Sequence, residues 1–111
     1  MSVPVAFLPQ AADDVAETHT TYESLRAGLG DRFLSAVSRR VDQVRATPLI
    51  YAVFRRGVRA APIKGFPHFL YYRERDADLL VVAVQHGRRS ARGWRDRIRR
   101  ACGGAVTDSG G

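Results

Sequence analysis

The feature of this sequence that most restricts its fold is the run LLVVAVQH at residues 79–86, in which six consecutive apolar residues precede Gln85 and His86. A strand with one face in water alternates apolar and polar residues, so an unbroken apolar run indicates a strand that is covered on both faces. Another β-prone segment, HFLYYRE at 68–74, lies just upstream, and the polar turn RDAD at 75–78 joins the two. We therefore predict an antiparallel hairpin with residues 79–86 as a central strand.

Two amphipathic helices are predicted upstream of this hairpin. In the first, which runs from Gln10 to the AGLG stretch at 27–30, the apolar residues recur with helical spacing and are Val15, Tyr22, Leu25 and Leu29. In the second, which ends near Pro48, the apolar face consists of Leu34, Val37, Val41 and Val44. Because the connection is short, the helices should form an antiparallel hairpin.

The remaining β-prone segments complete an α+β fold of two layers. We predict strands at 3–8, 51–55 and 58–64, and a short C-terminal helix at 90–100 with Ser90 as its N-cap and Trp94 packed on the sheet. The expected architecture is an N-terminal strand and an antiparallel helix hairpin packed on a mainly antiparallel sheet, followed by that helix. The face of the second helix should contact Leu80, Val82 and Val84 or their neighbours. We expect residues 1–100 to form one domain and 101–111 to form a flexible tail.

The charge of the chain predicts an anionic partner. Eighteen Lys and Arg residues against eleven Asp and Glu give a net charge of +7, and seventeen of the eighteen cations are arginine. Nucleic acid, an acidic protein segment and a membrane surface all fit this charge, and the arginine fork favours phosphate or carboxylate. The single cysteine, Cys102, supports neither a disulfide framework nor a metal site, so we expect no cofactor. The N-terminal residues resemble neither a signal peptide nor a membrane span, which predicts a cytoplasmic protein.

Two segments of the predicted sheet carry a family resemblance. FPHFLYYR at 66–73 and VVAVQHGRRSARGW at 81–94 are similar to the strand motifs of the RelE/ParE superfamily of bacterial toxins from type II toxin–antitoxin modules. Weaker similarity is found in VAFLPQAADDVAE at 5–17 and LGDRFLSAV at 29–37, so the resemblance covers about residues 3–97. Leu8 and Ala91 depart from the family pattern, and both lie at helix starts.

The resemblance implies a toxin that a cognate antitoxin neutralises, and it leaves two targets open. ParE-like members poison DNA gyrase without being nucleases, and we favour this branch, which has been associated with plasmid stabilization. RelE-like members are mRNA interferases, endoribonucleases that cut message on the ribosome. A third reading, a basic nucleic-acid-binding regulator, has no recognition-helix or RNA-binding motif to support it. No reading involves a membrane partner.

Candidate site residues follow from the same alternatives. A RelE-like ribonuclease would use His86 for proton transfer, with Arg59 and Arg88 stabilising the phosphate. The other reading of His86 is structural, with the ring hydrogen-bonded at the sheet edge, and we prefer it. Candidate contacts to a partner or target are Arg59, Lys64, Arg73, Arg88, Arg89, Arg92 and Arg95.

Overall fold

The computed structural model describes residues 3–87, except for the side chain of Arg55. The elements in this range, in chain order, are β1 (Val5–Phe7), α1 (Pro9–Leu25), α2 (Leu29–Ala46), β2 (Val53–Arg55), β3 (Val58–Pro62), β4 (His68–Glu74) and β5 (Leu79–His86). The predicted helix at 90–100, the tail at 101–111 and the arginines at 88, 89, 92 and 95 lie outside the described residues.

The strands form a five-stranded sheet in the order β1-β5-β4-β3-β2. The pairs β5-β4, β4-β3 and β3-β2 are antiparallel, whereas β1 is parallel to β5, with Val5 opposite Leu79. The α1–α2 hairpin packs on one face of this sheet. The predicted α+β class, with a helix hairpin on a mainly antiparallel sheet, is confirmed. No helix within residues 3–87 is long and apolar enough to cross a membrane.

The helix hairpin is held by a turn that satisfies the first amides of α2. Gly28 takes a φ of +88°, which favours glycine, and both oxygens of Glu23 accept backbone hydrogen bonds from Gly28 and Gly30 at 2.8 Å. At the start of α1, Pro9 occupies the first turn, and Leu8 makes no side-chain capping bond. The departure at Leu8 therefore leaves α1 without the cap that a Ser or Thr would provide.

The buried face of α2 differs from the prediction by one residue at its start. Phe33 is fully buried, Val37 and Val44 are buried and Val41 is half-buried, but Leu34 is 38% exposed. The prediction for Leu34 was wrong because Phe33 takes that place in the core. Its ring lies 5.2 to 5.6 Å from three other rings, those of Tyr22, Phe66 and His68.

An extra residue in β5 changes which side chains face the helices. Tyr71 lies opposite Ala83 and the next residue, Tyr72, lies opposite Val81, so Val82 has no counterpart on β4. Such a β-bulge reverses the alternation of side chains beyond it. The amide of Val84, just past the bulge, donates to the Asp14 carboxylate of α1 at 3.0 Å, which fixes the helix against the strand.

The residues of β5 therefore divide between two apolar clusters. Leu79, Val81 and Val84 belong to the cluster under the helices, as predicted for Val84. The prediction named Leu80 and Val82 or their neighbours: the neighbours Leu79 and Val81 lie under the helices, whereas Leu80 and Val82 belong to the cluster on the other face, with Tyr71 and Val58. All six apolar residues of the strand are buried, which confirms that it is covered on both faces.

Candidate functional site

A groove lies between α2 and the turn that joins β3 to β4. Its cavity volume is about 520 Å³, and its apolar part is formed by Leu29, Ala36 and Phe66. Four cations line it, and we call this surface the cationic groove; they are Arg26, Arg32, Arg39 and Lys64. Arg32 and Arg39 are seven residues apart on α2, so they project from the same side of the helix about 10 Å apart.

The cations of the groove are available to a partner. Within residues 3–87, none of the four forms an ion pair. The acid on the groove wall, Asp31, instead lies 3.1 Å from His19 Nε2. The groove thus combines an apolar surface with uncompensated positive charge, which fits an amphipathic acidic ligand.

Arg59 is used inside the fold. It lies on β3, half-buried, and its guanidinium donates to the carbonyls of Tyr51 at 2.8 Å and Leu49 at 3.3 Å. Arg59 therefore fixes the segment that leads into β2. Arg73, another predicted contact, is half-buried on β4 opposite Leu80.

His86 lies at the end of β5, in acidic surroundings. It pairs with His68 across the strands, and the two rings are 5.7 Å apart. A cavity of about 60 Å³ beside it is lined by the carboxylate-bearing residues Asp14 and Glu17. Among the residues that the structure describes, the charged neighbours of His86 in this cavity are the two acids, and no Lys or Arg lines it.

The structure does not bring His86 and Arg59 together. On β4, His68 is opposite His86 and Tyr72 is opposite Arg59, so the two candidates are separated by four residues of strand, about 13 Å. The third member of the proposed catalytic set, Arg88, lies outside the described residues. Among the residues that the structure describes, the predicted catalytic groups form no common site.

The two tyrosines of β4 face opposite sides of the sheet, as their alternation predicts, and both are buried. Burial raises the pKa of Tyr72 to about 12, and its hydroxyl donates to the Pro48 carbonyl at 2.5 Å. Burial also raises the pKa of Tyr71. Both phenols are therefore protonated near neutral pH and cannot act as general bases there.

The donor atoms of His19, Glu23 and Asp31 lie within 4.8 Å of one another, a spacing that could hold a metal ion. Both Glu23 oxygens already accept amide hydrogen bonds, and His19 already contacts Asp31. These contacts link α1 to the start of α2, and they explain why the three side chains lie together.

Of the four groove cations, only Lys64 was among the contacts predicted from the sequence. The four groove cations lie at positions 26, 32, 39 and 64, so no local run connects them. The one signal in the sequence is the seven-residue spacing of Arg32 and Arg39, which places two cations on one side of a helix.

Comparison with known families decides the assignment. The model of the family described as "ParE toxin of type II toxin-antitoxin system, parDE" matches residues 5–91. The chain belongs to the ParE toxin family.

A solved structure shares the fold of this ParE family member. A chain of the chromosomal ParDE TA system from P. aeruginosa superposes with a TM-score of 0.59 at 18% identity, covering 77% of this chain and 96% of that one. No curated protein sequence matches the chain significantly. The predicted RelE/ParE resemblance and its ParE-like branch are thus confirmed.

Proposed function

We propose that this protein is the toxin of a type II toxin–antitoxin module, that it poisons DNA gyrase, and that a cognate antitoxin neutralises it. Membership of the ParE family supports the toxin role. The placement of His86 beside Asp14 and Glu17, and away from Arg59, supports gyrase over mRNA as the target.

The argument from His86 is electrostatic. A ribonuclease of this type must place the scissile phosphate next to its proton-transfer group, and cations must stabilise the added charge in the transition state. A phosphate at His86 would instead meet the Asp14 and Glu17 carboxylates. Repulsion between these like charges disfavours the substrate complex. Inhibition by binding needs no such site.

The cationic groove is the surface that best fits the antitoxin. An amphipathic acidic helix laid along α2 would place carboxylates two turns apart opposite Arg32 and Arg39. Its apolar side would cover Leu29, Ala36 and Phe66. Such a complex buries apolar area and neutralises charge at once.

Induction of the protein in growing cells tests the target. We expect a DNA-damage response and filamentation while early translation continues, and cleaved DNA when purified toxin is added to DNA gyrase and a plasmid. His86→Ala should keep most of this activity, with His19→Ala as a matched half-buried histidine control. Prompt translational arrest, with cleavage of message at the ribosomal A site, would instead assign the protein to ribosome-dependent endoribonucleases.

A further inference from the structure

The strand at one end of the sheet exposes apolar side chains. β2 is the last strand in the sheet order, and its described strand partner is β3. Large apolar residues on β2 and in the segment before it are exposed, with Ile50 at 70% and Val53 at 55%; the set, which we call the β2 edge patch, is Leu49, Ile50, Val53 and Phe54. An exposed apolar edge strand readily pairs with another extended polypeptide, and proteins usually block such edges.

The turn after β2 holds an arginine in a conformation that arginine disfavours. Arg56 has a φ of +52° and Gly57 one of +77°, the combination found in two-residue hairpin turns that strongly prefer Asn-Gly. Arginine at the first position costs backbone energy that asparagine or glycine would not. Arg56 is exposed, and it forms no ion pair within residues 3–87. A strained, exposed residue that forms no ion pair among the described residues points to a function.

The charge around the β2–β3 hairpin indicates which type of partner it can bind. Residues 43–73, which include β2, β3 and almost all of β4, contain six cations and no acid. A second copy of the chain, paired along β2, would bring two such cationic regions together, so self-association is disfavoured. An extended segment that carries both acidic and apolar residues complements the patch.

The tip of the β2–β3 hairpin, formed by Arg56 and Gly57, is separate from the cationic groove. Arg56 precedes β3 and Lys64 follows it, so the five residues of the strand, about 16 Å, lie between the two surfaces. An antitoxin helix in the groove therefore leaves the β2 edge for a different partner.

We propose that the β2 edge patch and Arg56 dock an extended acidic segment of the toxin's protein target, which pairs with β2 as an additional strand. Main-chain hydrogen bonds to β2 supply affinity in this mode of recognition. The apolar residues of the patch receive the target's apolar side chains, and Arg56 binds a carboxylate. This inference rests on the proposed function in one respect, that the toxin acts by binding a protein.

Three variants test the proposal in the full-length protein. Val53→Asp and Arg56→Glu place negative charge against an acidic segment, and each should lower growth inhibition and binding to purified DNA gyrase at least tenfold. Arg56→Asn relieves the backbone strain, so it should raise the melting temperature by about 2 to 4 °C while toxicity falls. Co-purification with the antitoxin encoded by the adjacent gene, unchanged in all three, shows that they fold.

Arg39→Glu is the matched control, because it reverses one exposed arginine in the cationic groove. It should weaken antitoxin binding, a defect that none of the three hairpin variants should show. Full toxicity of the hairpin variants would overturn the proposal. Loss of antitoxin binding with toxicity retained would also overturn it, since the patch would then belong to the antitoxin.

Two further outcomes separate this inference from the choice of target. If wild-type toxin does not bind gyrase but the hairpin variants still lose growth inhibition, the gyrase assignment fails and the docking surface stands. If Arg56→Glu instead abolishes binding of the toxin to duplex DNA that the wild type binds, the hairpin contacts nucleic acid, and the proposal is wrong.

Discussion

Arg39 and Arg40 are neighbours on α2 but have different roles. The Arg40 guanidinium donates to the Pro62 carbonyl at 2.5 Å and to Gln43 Oε1 at 2.6 Å, and it lies over the Tyr51 ring. Arg39 lines the cationic groove and forms no ion pair within residues 3–87. The net charge of the chain thus overstates the charge that a partner can use, because some arginines hold the fold together.

Deprotonation of Tyr72 should lower the stability of the folded protein at alkaline pH. Its pKa in the folded protein, about 12, exceeds the unfolded value of about 10, so the unfolded chain releases this proton first. The free energy of unfolding should therefore be unaffected by this group below pH 10 and fall by about 2 to 3 kcal/mol as pH rises from 10 to 12.

Tyr72→Phe isolates this contribution. The variant loses the hydrogen bond to the Pro48 carbonyl, which costs about 1 kcal/mol at neutral pH, but it should lack the Tyr72 part of the alkaline decline. Urea unfolding of both proteins at pH 7, 10 and 11.5 measures the difference. Parallel declines in the two proteins would show that Tyr72 is not the responsible group.

At the scale of elements, the sequence predicted what depends on local pattern. β4 and β5 have the predicted bounds, because a continuous apolar run and its polar turn leave little choice. It could not predict the bulge at Val82, since six adjacent apolar residues fit either face of the sheet. The prediction for Leu34 was wrong for a related reason. Phe33 and Leu34 are both apolar, and only the packing of three other rings determines that Phe33 is the buried residue.

Phe33 and Leu34 offer a matched test of the α2 register. Phe33→Ala should lower the free energy of unfolding by about 3 to 5 kcal/mol, because it opens a cavity among the rings of Tyr22, Phe66 and His68. Leu34→Ala, at the partly exposed neighbour, should cost about 1 kcal/mol or less. Equal losses in chemical unfolding would contradict this register of α2.

At the scale of the whole molecule, Arg56 at the turn after β2 and Lys64 of the cationic groove lie at opposite ends of β3. The sequence could not show the groove, because its four cations meet only when the helix hairpin packs on the sheet. The same holds for the separation of His86 from Arg59, which the register of β4 sets. The topology of the fold decides which residues that are distant in the chain come close together, and local sequence patterns carry little information about that topology.

The cationic groove gives a prediction about neutralisation. The double variant Arg32→Glu and Arg39→Glu should weaken antitoxin binding at least a hundredfold, because two attractions become repulsions of similar size. Calorimetry with purified antitoxin measures the affinity, and Arg75→Glu, at the β4–β5 turn, is a charge-reversal control away from the groove. Wild-type affinity in the double variant would place the antitoxin elsewhere.

The parallel pairing of β1 with β5 has a consequence for when the protein becomes active. Val5 pairs with Leu79, so the first strand can pair with β5 only after the 74 residues that follow Val5 have been synthesised. Contacts of such long sequence separation form late, after the loop between them has closed. A nascent chain therefore cannot complete its sheet until β5 has been synthesised. Under the proposed function, this delay would give an antitoxin an interval in which to bind the toxin before it is able to act.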